Sequence, residues 1–180
     1  KIDDNGMIAG SILDEKDLVS LKNRLDELED TSGFVYGFVG IKGTTEELQL
    51  PRKNTWLLAS DNLDKVYQES GESPDNDLAA LFLGFPSAKD PSYQERFPGS
   101  SVCVLIGVRS PYEFWEQWAT KKPHKRGPQY QELKKSFMDQ MMRLLLRVYP
   151  QLDGQIEYYD GGSLLESDFY LGRQGDNSYG

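Results

Sequence analysis

A chain of 180 residues has room for one sizeable hydrophobic core. Its formal net charge of -9 opposes a phosphate backbone and excludes nucleic acid as a partner. Mean hydropathy is -0.60, and no apolar run approaches the roughly 20 residues that a membrane-spanning helix needs.

The first 13 residues read as a strand end or turn cut from a longer chain, since the sequence opens on Lys1 and carries no signal pattern. From Asp14, a capping residue, Leu18, Leu21, Leu25 and Leu28 recur at helical spacing, with Lys22, Asn23 and Asp26 on the wet side. A strand follows over residues 34–41. Phe34, Tyr36 and Phe38 face one way and Val35, Val39 and Ile41 the other, so both faces are expected to be covered. Gly37 and Gly40 leave space beside it for a backbone or a ligand.

Residues 54–60 predict a second strand containing Trp56, and 61–69 a short helix. The stretch from Leu78 to Val108 is the centre of the chain: two dense apolar runs flank a connector stiffened by Pro86, Pro91 and Pro98. Its second run alternates Val102, Val104, Ile106 and Val108 with Cys103 and Leu105, a pattern of two-sided burial. Cys103 is the only cysteine, so internal disulfides and thiolate metal clusters are excluded, and its mid-strand place predicts an inert thiol.

Pro111 opens a predicted helix with Tyr112, Phe114, Trp115 and Trp118 inward. The loop Lys121 to Gly127 is basic and holds His124, the only histidine; it reads as a solvated turn, with membrane-surface contact as a lesser alternative. The longest helix is predicted over residues 129–149, with Met138, Met141 and Met142 on or near its apolar stripe and Pro150 as its stop. A short strand at 155–159, a flexible Gly161-Gly162-Ser163 step and a helical turn from Leu164 complete the reading.

This order predicts a single domain over residues 1–180, of α+β class, with about five mostly antiparallel strands and the long helix across one face. Neither G-x-G-x-x-G after a strand nor G-x-x-x-x-G-K-[ST] occurs. No histidine-carboxylate cluster has metal-ligand spacing, and no catalytic constellation is legible.

One set of segments is more specific. Phe85-Pro86-Ser87-Ala88-Lys89-Asp90-Pro91, Arg96-Phe97-Pro98-Gly99 and Tyr112-Glu113-Phe114-Trp115-Glu116-Gln117-Trp118 occur in order, after Lys42-Gly43-Thr44 and before Lys125-Arg126-Gly127, Gly161-Gly162-Ser163 and Tyr179-Gly180. In order and spacing they resemble the retinoid-saturase branch of the flavin-dependent carotenoid and retinoid desaturases, isomerases and saturases. Leu164 and Glu166 depart from the family pattern, which has proline and threonine there.

The resemblance implies that residues 1–180 are a substrate-covering domain, like the substrate domain of flavin-dependent amine oxidases and phytoene desaturases, inside a longer FAD-dependent enzyme. It implies FAD held by other parts of the parent chain and NAD(P)H as electron donor. The substrate would be a retinoid or carotenoid-like polyene, and the parent would associate with membranes, in the endoplasmic reticulum for a vertebrate-like member. Tyr179 and Gly180 would lie nearest the flavin, and Phe34, Tyr36, Phe38, Trp56, Phe85 and Tyr158 would line the sheet face toward substrate. The excised piece would have no turnover of its own. The alternative, from the residues alone, is a free-standing α+β module that binds an apolar ligand or a protein partner.

Overall fold

The computed structural model describes residues 15–26, 33–70 and 72–171, and the chain divides into two compact units, Lys1–Thr31 and Ser32–Gly180. The first contains helix α1 (Glu15–Asp26). Asp14 and Leu28 of the expected helix lie outside the described residues.

The second unit is a five-stranded sheet in the order β2-β3-β4-β1-β5. Its strands are β1 (Gly33–Lys42), β2 (Thr55–Leu58), β3 (Ala80–Gly84), β4 (Ser100–Ser110) and β5 (Ile156–Gly162), and every neighbouring pair is antiparallel. The fold class is therefore α+β. Helix α2 (Leu63–Ser70) follows β2; short helices α3 (Pro86–Lys89) and α4 (Tyr93–Arg96) build the β3–β4 connector; α5 (Pro128–Val148) and α6 (Leu164–Leu171) come late in the chain.

The connector is rigid for local reasons. Ser87 accepts from the Val102 amide at 3.1 Å, Gln94 donates to the Ser100 carbonyl at 2.8 Å, and Arg96 pairs with Asp90. These bonds pin it to the start of β4 and satisfy backbone groups that the turn would otherwise leave open.

The core lies between the sheet and α5. Val35, Val39 and Ile41 of β1, Leu81 and Leu83 of β3, and Cys103 and Leu105 of β4 are buried on one face, against Phe137, Met138, Met141 and Leu145 of α5. The methionines Met138 and Met141 are core. Burial pushes the Cys103 thiol up to about 12, so at pH 8 thiolate is negligible and the sulfur inert. Ellman's reagent should leave the native chain unlabelled and titrate one thiol only in denaturant; prompt labelling without denaturant would contradict this burial.

Two expectations change in detail. In place of a regular helix after Pro111, 3-10 turns span Tyr112–Phe114 and Glu116–Trp118. With three residues per turn, side chains three apart stack on one side, which sends both Trp115 and Trp118 inward onto Tyr130. The Gly161-Gly162 step is strand rather than flexible link, paired with Gly37 and Tyr36.

The glycines there are needed for packing. Gly37 and Gly161 face each other on neighbouring strands, and the gap they leave is filled by Met138. A Cβ on Gly161 would sit 2.2 Å from Met138 Sδ and 2.6 Å from the Tyr36 carbonyl. Gly161→Ala should therefore destabilise by about 1–3 kcal/mol through overpacking, measurable by urea unfolding, whereas an unchanged midpoint would mean the α5–sheet contact is looser than drawn.

Candidate functional site

The second face of the sheet is open. Directly opposed residues on antiparallel strands point to the same side, and the register places Trp56, Phe82, Ile106 and Tyr36 in one row across β2, β3, β4 and β1. A parallel row holds Leu58, Ala80, Val108 and Phe34, and a third Val104 and Phe38. Tyr158 sits over Gly40, its Cβ 3.5 Å from where a Gly40 Cβ would be. The result is one apolar, aromatic surface roughly 20 Å across, by strand spacing.

Trp56 is 59% exposed, Tyr158 60%, Leu58 53% and Phe38 52%, whereas the residues opposite on the α5 side are buried. On the same face Phe34, Tyr36, Phe82, Val104, Ile106 and Val108 are half-buried, so the both-sided coverage expected for β1 and β4 is corrected to full burial on the α5 side and partial burial on the other. The alternation of β1 and β4 is that of a two-sided core, because the open side is as apolar as the covered one. A contiguous exposed apolar surface of this extent marks a site of interaction.

Five of the six expected lining residues share that face: Phe34, Tyr36, Phe38, Trp56 and Tyr158. Phe85 does not. It is fully buried and meets Tyr149 edge to face at 5.0 Å. Its odd number puts it in phase with Leu81 and Leu83, one position out of step with Phe82, so strand parity already assigns it to the covered face. Tyr179 and Gly180 lie outside the described residues.

Beside the open face, β5 ends at Gly162 and α6 begins at Leu164, and a Cβ added to Gly162 would lie 3.7 Å from Glu166 Cβ. The start of α6 is a capping box. The Glu166 carboxylate accepts from the Ser163 amide at 2.7 Å, and Ser163 Oγ accepts from the Leu165 amide at 3.1 Å. The same carboxylate accepts from the Tyr130 hydroxyl at 2.5 and 2.6 Å and pairs with Arg126 at 2.7 Å. Arg126 also donates to Tyr130 at 3.0 Å and to the Leu165 carbonyl at 3.0 Å. Burial, with the Glu166 bond second, raises the Tyr130 hydroxyl far above the ordinary phenol.

This cluster was not among the expected sites. Arg126 reads as one more cation in a solvated loop, yet its side chain is 2% exposed, while His124 nearby is exposed. The Ser163-x-x-Glu166 spacing is a legible capping signal; the pairing with Arg126, 40 positions away, is not. Among the described residues no group of metal-ligating side chains assembles, and no helix is long and apolar enough to cross a membrane. The Gly161-Gly162-Ser163 step from β5 into α6 is taken by the protein's own Glu166 carboxylate, which accepts from the Ser163 amide.

Sequence comparison gives the face its context. The chain is 33% identical over 167 residues to all-trans-retinol 13,14-reductase of Homo sapiens, covering 91% of this chain and 27% of that protein. It is 32% identical over 168 residues to the Rattus norvegicus protein of that name, with the same coverage. It is 31% identical over 137 residues to the inactive all-trans-retinol 13,14-reductase of Danio rerio, covering 73% of this chain and 22% of that one. No protein-family profile matches, and no solved structure matches. Over nine-tenths of its length, this chain is a homologue of one segment, about a quarter, of the all-trans-retinol 13,14-reductases.

Proposed function

We propose that this chain is the substrate-side region of an FAD-dependent oxidoreductase of the retinol 13,14-reductase kind, acting on a carbon–carbon double bond of a retinoid or carotenoid-like polyene. The open aromatic face carries this reading, together with the kinship to proteins named for a reaction on retinol. A polyene is long, apolar and flat, and the rings of Trp56, Phe82, Tyr36 and Phe38 offer a matching wall. The fold would correspond to the substrate domain of amine-oxidase-like flavoenzymes.

In this role the chain's residues bind and orient the substrate and exclude water, while the flavin and its NAD(P)H-derived electrons are supplied from outside the described residues. One homologue that shares the segment is named inactive; in the proposed reading the activity belongs to the parent and not to the sheet.

The test compares the full reading frame containing this sequence with the 180-residue chain. The parent should purify yellow and hydrogenate all-trans-retinol, and the chain alone should be colourless and inactive. Phe38→Asp in the parent should cut kcat/KM by about tenfold or more with flavin content unchanged, since a charge on an apolar wall must be desolvated. A colourless parent that takes up no FAD overturns the oxidoreductase reading; polyene binding to it without flavin would favour the binding-module alternative.

A further inference from the structure

A second feature lies along α5, at the β2 edge of the sheet. Between β2 and the last turns of α5 is a cavity of about 350 Å³, at the small end of the range for ligand pockets. Leu57, Leu81 and Leu144 form its apolar wall, and Gln140, Arg143 and Arg147 line it from α5, with Asp77 opposite. Positions 140, 143, 144 and 147 follow helical spacing, so one stripe of α5 is turned toward this space.

The polar groups there are incompletely used. Arg143 and Arg147 form no ion pair among the described residues, and neither does Asp77. Gln140 is 8% exposed; its Nε2 donates to the Pro74 carbonyl, and its buried Oε1 has no hydrogen-bond partner among the described residues. A buried acceptor without a donor costs stability. The negative pole at the end of α5 accounts for cations in its last turns, but not for the orphan acceptor beside them.

We propose that this cavity binds an apolar carboxylic acid that carries a hydroxyl near its acid group. Arg143 and Arg147 hold the carboxylate by charge-assisted hydrogen bonds, and two guanidinium groups against the single Asp77 carboxylate leave the site net positive. The alkyl chain lies on Leu57, Leu81 and Leu144. The ligand hydroxyl donates to Gln140 Oε1, which comes to meet it by rotation about the last side-chain torsion, a broad and soft one in glutamine, giving up the long 3.4 Å bond from Nε2 to the Pro74 carbonyl.

Calorimetric titration of the 180-residue chain would use β-hydroxydecanoate, decanoate and decanol, each below its aggregation threshold. β-Hydroxydecanoate should bind saturably at one site, about three- to tenfold tighter than decanoate, the worth of one neutral hydrogen bond. Arg143→Gln with Arg147→Gln should weaken both acids by about tenfold or more while leaving decanol unchanged. Gln140→Leu should abolish the advantage of the hydroxyl.

Both arginines are exposed, so that double variant should keep the fold, with circular dichroism as the check. Equal affinity for decanol and the acids, non-saturable uptake, or acid binding untouched by the arginine substitutions would each overturn the proposal. No flavin or retinoid enters the experiment, so its outcome is independent of the oxidoreductase reading.

Discussion

Glu166→Leu should lower stability by about 3–5 kcal/mol, more than Arg126→Leu, even though the two residues form one ion pair. The asymmetry follows from burial. Arg126 is 2% exposed, so without Glu166 its guanidinium is a buried charge left with the Leu165 carbonyl and the Tyr130 oxygen. Its Nε already lacks a hydrogen-bond partner among the described residues. Glu166 is 22% exposed, and after loss of Arg126 it still accepts from Tyr130, the Ser163 amide and the Ser163 hydroxyl.

Removing Glu166 also removes half of the capping box at the start of α6, a further contribution of about 1 kcal/mol. The double variant Arg126→Leu with Glu166→Leu should recover much of the loss, because apolar replacement of both partners leaves no stranded charge. Denaturant midpoints of the two single variants and the double variant form a cycle that isolates the pair. If Glu166→Leu proved milder than Arg126→Leu, the guanidinium would have to have a route to water that the structure does not show.

That cluster marks where sequence reading fails and why. Local signals were legible: β1, β4 and α5 fall within a residue or two of the expected bounds, because strand alternation and the α5 stripe are dictated by the core they cover. The Arg126–Glu166 pairing depends on tertiary approach between a loop and a helix 40 positions apart, and nothing in a basic run announces that one of its cations turns inward. Gly161 and Gly162 illustrate the same limit. Adjacent glycines suggest flexibility, yet both pair with β1, and at Gly161 no Cβ fits beneath Met138, whereas Gly162 has room for one at ordinary contact distance from Glu166.

Coverage of the sheet was the harder question. Apolar residues alternating on both sides of a strand describe a surface that prefers to be buried, and they do not say by what. On one side the answer is α5. On the other, Trp56, Phe38, Leu58 and Tyr158 remain more than half exposed, so the pattern reports a face meant for contact with something besides the described residues.

The contrast between the faces should be large enough to read in a single pair of variants. Phe85→Ala is expected to cost about 3–5 kcal/mol, the range for deleting a buried phenylalanine, because its ring is fully enclosed against Tyr149 and leaves a cavity that rigid neighbours cannot fill. Tyr149 is itself held by its hydroxyl contact with Thr55 at 3.1 Å, at the β2 edge, which limits collapse into the space. Phe38→Ala removes a ring of the same size that is 52% exposed, and should cost about 1 kcal/mol or less. In the proposed parent reductase the order should reverse for turnover at a temperature where both variants are folded: Phe38→Ala should impair use of retinol, while Phe85→Ala should leave it near the unsubstituted level. Equal stability losses in the isolated chain would mean that something covers the open face, and equal turnover would remove that face from the substrate's path.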